Sequence, residues 1–323
     1  STGTEKIMKI ELRGSILKEE IKNEFCRILG SDHVLVEEPM SAHTTFRIGG
    51  PAEYYVCPHS VDELQRTLDV CRRYQLPYFI LGNGSNLLVS DQGYRGVIIQ
   101  LFRNMSQIDV QDERIRAQAG ALLSLVAKQA LAHSLTGFEF AGGIPGTLGG
   151  AVVMNAGAYG GELKDVLEEV TVLNQEGEIL KIPFEKLEMG YRTSIVKKKN
   201  YIVLEAVLKL RYGDEDKIRQ TMRELTEKRT SKQPLELPSA GSTFKRPEGY
   251  FAGKLIMDSG LRGYRVGGAQ VSEKHCGFVV NIDNATAEDV RRLMRDVTDK
   301  VYEKFQVTLE PEVKFLGNFS TGE

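Results

Sequence analysis

The sequence predicts an α+β fold in which a smaller α+β part lies beyond a boundary in residues 213–232. Three observations carry this. Short strand-like runs are interspersed with helices of clear 3.6-residue period. Two glycine-dense segments, 82–86 and 141–161, sit between regular elements. A long charged stretch, Asp214 to Lys232, separates the glycine-bearing part from the C-terminal third of the chain.

The 323 residues suffice for two or three domains at roughly 100–200 residues each. We divide them into an N-terminal helical segment (1–38), a central domain of two subdomains split near residue 100 (39–213), and a C-terminal domain (214–323). A net charge of −2 gives no bulk attraction to nucleic acid or to an anionic membrane. Cys26, Cys57, Cys71 and Cys276 form no C-x-x-C pair, which speaks against a zinc knuckle or a dithiol redox motif and for a reducing compartment. The five histidines show no i,i+3 or i,i+4 pairing, so no metal site is expected. Ser1 to Arg13 lacks the apolar core of a secretory signal, and no apolar run approaches the ~20 residues of a membrane span. A cytoplasmic chain without membrane insertion, monomeric and with small-molecule partners, is the expectation. The opening Ser1-Thr2-Gly3 carries no functional weight.

Ile16, Leu17, Ile21, Phe25, Ile28 and Leu29 fall at helical spacing and Gly30 stops them, predicting a helix over 16–29. A turn-rich segment, Thr44 to Pro51, leads to a strand at 53–57 and a helix at 61–74, with Ser60 as N-cap and Glu63 completing a capping box. Strands are predicted at 78–81, from Leu87, and at 96–101, 108–111 and 114–118, then a helix at 122–133. After the second glycine segment come strands at 166–174, 178–182 and 201–210. The stretch 214–232 reads as one helix bridging two domains. A loop (233–249), a short helix (252–258), a strand (277–281), a helix (287–305) and a last strand (312–316) complete the chain. Val290, Leu293, Met294, Val297 and Val301 give the 287–305 helix an ordinary apolar face.

Gly82-Asn83-Gly84-Ser85-Asn86 joins two strands. Its glycines permit φ > 0, so successive backbone N–H groups can converge on an anion, or simply form a tight turn. The third glycine of a Rossmann fingerprint is missing and no helix of the right length comes after it. The second segment runs from Gly142 through Gly143, Ile144, Gly146, Gly149, Gly150 and Ala151 to Asn155, Tyr159 and Gly161. Each glycine costs about 0.5–1 kcal/mol relative to Ala in a regular element. Such a stretch suits backbone lying close against a flat ring system and a pyrophosphate, and Thr147 is placed to cap a short helix there.

Eight motifs then recur in one order: Thr44-x-Phe46-Arg47-x-Gly49-Gly50; Leu81 to Asn86; Gly143-Ile144-Pro145-Gly146 with Gly149-Gly150-Ala151; Met154 to Gly160; Tyr191-Arg192-x-Ser194; Gly241-Ser242-x-Phe244; Ala252 to Ile256; and Leu309 to Val313. On these, from about Pro39 to Leu316, the chain resembles the vanillyl-alcohol-oxidase-like (PCMH-type) FAD fold. More narrowly it resembles the UDP-N-acetylenolpyruvoylglucosamine reductases, in their shorter subclass.

The resemblance implies non-covalent FAD, NADPH as hydride donor, and reduction of UDP-N-acetylglucosamine enolpyruvate to UDP-N-acetylmuramate, a peptidoglycan precursor. Hydride would come from flavin N5 and a proton from Ser242, with the enolate stabilised by Arg192 and Glu312. It places Thr44, Phe46, Arg47, Gly49, Gly50, Gly82, Asn83, Gly84, Ser85, Asn86, Gly143, Ile144, Gly146, Gly149, Gly150 and Ala151 around FAD. Asn155, Tyr159, Lys245, Arg246, Lys254, Gln270 and His275 would meet the substrate. No insertion of the longer subclass's kind lies between Tyr191 and Tyr201, implying a more open site. Two other readings stand beside this: a flavin oxidase of the same superfamily, and a non-catalytic nucleotide-binding module. Neither glycine segment holds a His or Cys for covalent flavin attachment.

Overall fold

The computed structural model describes residues 3–319; Ser1 and Thr2 of the opening Ser1-Thr2-Gly3 lie outside the described residues. The chain begins with helix α1 (Gly3–Leu29), strands β1 (Val34–Pro39) and β2 (Pro51–Val56) and helix α2 (Val61–Arg73). Strands β3 (Tyr78–Leu81), β4 (Leu87–Val89) and β5 (Tyr94–Gln100) come after it. Next come β6 (Ile108–Gln111), β7 (Arg114–Gln118), α3 (Leu123–Ala132), β8 (Leu135–Thr136), α4 (Leu148–Met154), β9 (Gly157–Ala158), β10 (Gly161–Glu162), β11 (Leu167–Leu173), β12 (Ile179–Pro183), α5 (Ile195–Lys198), β13 (Ile202–Lys209) and β14 (Arg211–Tyr212). The remainder is α6 (Glu215–Lys232), β15 (Ser239–Ser242), α7 (Ala252–Asp258), β16 (Arg265–Val266), β17 (Ala269–Val271), β18 (Phe278–Asn281), α8 (Ala287–Phe305) and β19 (Lys314–Leu316).

Three sheets organise these elements. The first has strand order β1-β2-β5-β3, the second β12-β11-β13-β7-β6 and the third β15-β18-β17-β16. In the first sheet, Tyr54, Val56, Val97 and Ile99 pack into one core with Phe25 of α1 and Leu64 of α2, whereas Tyr55 and Ile98 pack into another with Met40, Leu87 and Val89. That is the period-2 alternation of strands covered on both faces. The third sheet is backed by α8, whose Val290, Leu293, Val297 and Val301 are fully buried. A separate parallel pair, β19 with β4, ties the chain's last strand to the segment just after the first glycine loop.

The helix ends show why the boundaries fall where they do. Thr286 and Asp289 form a complete capping box at α8, and the carboxylate of Asp91 accepts from the next two backbone N–H groups, Ala287 and Glu288. At α2, Ser60 Oγ accepts from Glu63 N as expected, but Glu63 reaches back to His59 N, one residue earlier than the predicted box.

Two expectations change. Helix α1 starts at Gly3 rather than Ile16, and of its 27 residues only Ile21, Phe25 and Leu29 are buried. Ile7, Ile10 and Leu12 lie exposed on the added turns. Helix α6 does more than bridge. Its Met222 and Arg229 pack directly on Gly142 and Gly143, while Lys274 from the C-terminal side donates to Thr230 O at 2.7 Å. Strand β1, which the apolar pattern does not announce, buries only Val34 and owes its place to backbone pairing with β2. Among the described residues no helix is long and apolar enough to cross a membrane, and no group of three or more His, Cys, Asp or Glu could hold a metal ion.

Candidate active site

A cleft of about 1460 Å³ lies where the two glycine segments, α6 and the β15 strand converge. Ligand sites usually enclose about 300–1,000 Å³, so this one has room for more than one ligand moiety. The two glycine segments touch. A Cβ on Gly82 would stand 2.7 Å from Thr147 Oγ1, and Ser85 Oγ donates to Pro145 O at 3.3 Å. Gly84 has φ +69° and a Cβ there would lie 2.2 Å from His43 O, so only glycine fits. Thr147 caps α4 by accepting from Gly150 N at 3.4 Å.

Gly82, Asn83, Gly84, Ser85 and Asn86 line one wall, and Gly143, Ile144, Gly146, Gly149, Gly150 and Ala151 another. From the Thr44–Gly50 segment the structure brings only Arg47 and, unanticipated, Thr45 to the cleft. Thr45 N and Oγ1 both donate to Gly84 O, and Oγ1 also reaches Ser239 O at 2.7 Å. Thr44 and Phe46 are buried on the opposite side, where Phe46 joins the core under the third sheet. Gly49 and Gly50 are pressed against Val89 and the backbone of Asp91. Those four residues shape the loop from behind rather than line the cleft.

The three residues expected to do chemistry are brought together. Arg192 Nε stands 3.1 Å from Glu312 Oε1, and Glu312's side chain is only 9% exposed. Its other oxygen, Oε2, is buried without a hydrogen-bond partner. A buried carboxylate oxygen left this way marks a place where a further donor is wanted. Ser242 ends β15 and faces the same cleft. Thr243 is the clamp between them: Glu312 N donates to Thr243 O at 2.8 Å, and Thr243 N donates to Gly277 O at 2.9 Å. Asn86 Nδ2 donates to Glu312 O at 3.3 Å, linking the first glycine loop to the same carboxylate residue.

Arg192 sits in a tight turn closed by paired backbone bonds between Gly190 and Thr193, with its own φ at 54°. Beneath it, Ser194 Oγ donates to Val153 O at 2.8 Å and Asn155 Nδ2 donates to Gly190 O at 3.1 Å. Asn155 is 3% exposed and its Oδ1 accepts from Lys164 N. Its polar atoms are spent on the Arg192 turn and on the Glu162–Lys164 segment, and it does not line the cleft as a substrate contact would.

The cleft is cationic. Arg47, Arg192, Lys197, Arg229, Lys232 and Lys314 line it against the carboxylates Glu236 and Glu312. Burial holds the Lys314 ammonium below the usual lysine range, and the Lys197 charge adds to this; Nζ sits 5.1 Å from the Phe79 ring centroid. Burial likewise lowers Arg229, against the opposing influence of Tyr159; Arg229 Nε donates to Gln233 Oε1 at 3.0 Å. Sequence reasoning passes over Arg229 and Lys314 because basic residues on a charged helix and a final strand look like surface groups. Tyr159 and His275 line the cleft. Lys245 and Arg246 line a second groove of about 680 Å³, which shares Arg192 and Lys197 with the main cleft. Lys254 instead pairs with Asp258 at 2.9 Å, and Gln270 Nε2 donates to Gly263 O at 3.2 Å; neither reaches either cavity.

Comparison with known proteins decides the family. Residues 233–316 match the model of the UDP-N-acetylenolpyruvoylglucosamine reductase C-terminal domain, and residues 52–183 match an FAD binding domain. A UDP-N-acetylenolpyruvoylglucosamine reductase of Alkaliphilus oremlandii is 55% identical over 291 residues, 90% of this chain and 96% of that protein. The chain belongs to the UDP-N-acetylenolpyruvoylglucosamine reductase family. A reductase of the same name from Clostridioides difficile is 50% identical, covering 93% of this chain and 98% of its own length. The crystal structure of the Thermus caldophilus reductase superposes with a TM-score of 0.75 at 37% identity, over 88% of this chain and 98% of that one. The protein is thus an α+β oxidoreductase of this reductase family with an FAD-binding domain. Its glycine walls fit that cofactor: positions 82 and 84 leave no room for a Cβ, and backbone can approach a flat ring and a pyrophosphate closely.

Proposed function

We propose that the protein reduces UDP-N-acetylglucosamine enolpyruvate to UDP-N-acetylmuramate with NADPH as reductant, in the cytoplasmic synthesis of peptidoglycan precursors. The observation that carries this reading is the Arg192–Glu312 pair, with its orphaned carboxylate oxygen, in one cleft with Ser242. Bound FAD supplies hydride relay from NADPH to the vinyl carbon that bears no oxygen.

The residues of the chain supply the rest. Saturating the enol ether adds one hydride and one proton, and between the two the substrate carboxylate acquires enolate character. Arg192 holds that carboxylate and offsets the growing charge, a task suited to a fixed guanidinium fork. Glu312, buried beside it, helps stabilise the enolic intermediate by holding the Arg192 guanidinium in line. Ser242 gives the proton to the carbon next to the carboxylate, and solvent restores it. Lys245 and Arg246 line the groove that opens beyond Arg192 and would meet the anionic diphosphate end of the sugar nucleotide. Four free cysteines, three of them buried, suit a reducing compartment.

The test is anaerobic. NADPH should bleach the bound flavin, and UDP-N-acetylglucosamine enolpyruvate should restore the oxidised spectrum without oxygen. A bleached flavin that recovers only in air would favour an oxidase and reject this reading.

A further inference from the structure

We propose that Thr45 is a positioning residue: its hydroxyl ties the first glycine loop to the strand bulge that aims Ser242 at the ligand. The proposal rests on the reductase reading of the cleft and adds a device that sets the proton donor's place relative to the cofactor loop.

The aim of Ser242 depends on an irregularity in the third sheet. Ser239 stands opposite Val280 and Ser242 opposite Phe278, so β15 takes three steps where β18 takes two. One residue of β15 is therefore extra, a β-bulge, and Gly241 within it has φ at 71°. In a regular ladder residue 241 would stand opposite Phe278. The extra residue puts Ser242 there instead, and a shift of one residue in a strand turns a side chain to the other face. A bulge re-aims a side chain at the expense of ladder bonds, so it has to be held by other means.

Both flanks of the bulge are held. On the far side, Thr243 N donates to Gly277 O at 2.9 Å and Thr243 Oγ1 accepts from Val279 N at 2.9 Å. On the near side the hold comes from a distant part of the chain: Thr45 Oγ1 donates to Ser239 O at 2.7 Å, across 194 residues of sequence. Gly84 O lies 3.3 Å from the same hydroxyl, but one O–H has one proton, and Gly84 O is already served by Thr45 N at 3.1 Å. The shorter contact, to Ser239 O, is the one that the hydroxyl proton makes. One residue thus grips the glycine loop with its backbone and the bulge with its side chain. Next to it, Phe46 O accepts from Asn281 Nδ2 at 3.0 Å, which fixes the same segment to β18. Asn281 N in turn donates to Pro238 O at 2.9 Å, just before the bulge.

This linkage has a chemical use. Gly82 to Asn86 form one wall of the cleft, and Ser242 lines it from the sheet. Hydride and proton are added to adjacent carbons, so the groups that deliver them need a fixed separation. A misplacement of about 1 Å can cost about 10²-fold in rate. Thr45 contributes to that separation by joining the two walls, and the role needs no contact with the reacting atoms.

The test uses the holoenzyme and stopped-flow absorbance. Thr45→Val keeps the shape of the side chain and removes the hydroxyl. It should leave flavin reduction by NADPH within about twofold of wild type and slow reoxidation by UDP-N-acetylglucosamine enolpyruvate by about tenfold or more. Thr45→Ser should recover most of the loss. In a Ser242→Ala background, Thr45→Val should slow reoxidation by less than about twofold, because no proton donor is left to misplace. Equal slowing of both half-reactions, or the full loss repeated in the Ser242→Ala background, would make Thr45 a general structural contact and overturn the proposal while leaving the reductase reading intact. Wild-type reoxidation by Thr45→Val would overturn it too. Failure of the reduced wild-type flavin to reoxidise with the enolpyruvyl substrate would sink the reductase reading, and this proposal with it.

Discussion

Arg192 and Glu312 meet across the cleft at 3.1 Å although they are 120 residues apart, one from a tight turn and the other just before the last strand. The arginine holds φ at 54° to do so, a left-handed conformation that costs a non-glycine residue about 1–2 kcal/mol. Strain of this kind persists where the surroundings over-determine it. Ser194 and Asn155 provide that here, fastening the turn to the end of α4.

Replacing Arg192 with Ala should therefore lower turnover by about 10²–10³, the usual loss when one donor to a developing oxyanion is removed. Arg192→Lys should recover little, since a point charge does not reproduce the guanidinium fork. Asn155→Ala should also slow turnover, while leaving flavin content unchanged. Single-turnover kinetics on the three variants would check this, and an Asn155 variant of normal rate would show that the turn holds itself.

Ser242→Ala should leave flavin reduction by NADPH within about twofold of wild type. Reoxidation by the enolpyruvyl substrate should slow by about 10²–10⁴, the range for loss of a positioned acid. Stopped-flow absorbance separates the two half-reactions. Equal losses in both would remove Ser242 from the proton-donor role.

Gly84→Ala and Gly241→Ala form a matched pair, since both glycines have φ near +70°. At 84 the new Cβ would lie 2.2 Å from His43 O; at 241 nothing lies within 4 Å. Gly241→Ala should cost about 1–2 kcal/mol from backbone strain alone. Gly84→Ala should cost more and release flavin, because the first glycine loop must move. Thermal melts and the flavin-to-protein absorbance ratio would report both.

Arg229→Ala should weaken FAD binding to the apoprotein about tenfold or more, since its half-buried guanidinium lies against Gly143 of the second glycine segment. Fluorescence quenching of added FAD would measure it. An unchanged affinity would assign this cation to the other ligands of the cleft.

Burial pushes the thiol of Cys57 up to about 11 and that of Cys71 up to about 12. Since the thiolate is the nucleophile, neither should react with a disulfide reagent at pH 8 in the folded protein, and Cys26, the most exposed, should react first. These raised values favour the folded state below the ordinary thiol range, and that advantage is lost as pH rises through about 11–12.

Much of this architecture is legible in the sequence, for identifiable reasons. The 287–305 helix falls where its apolar face, the Thr286 cap and Asp289 place it. The strand at 78–81 likewise has the bounds its apolar run predicts. Thr44 and Phe46 are harder. Their segment has one side to the cleft and one to the core, and a motif does not say which residues take which, so Thr45 escapes notice. Asn155 illustrates the same limit, because a residue two contacts away from a ligand sits in a motif as firmly as one that touches it. Arg229 and Lys314 acquire their character only when distant segments cover them.

The parallel pairing of Lys314–Leu316 with Leu87–Val89 also bears on the order of events during synthesis. Glu312, which accepts from Asn86, is made 226 residues after it, and Lys314 comes later still. Until residues 312–316 have been made, β4 lacks its parallel partner and Asn86 lacks its backbone acceptor. The final geometry of that loop thereby depends on residues far downstream, and a chain truncated before residue 312 should hold flavin more weakly than the full chain.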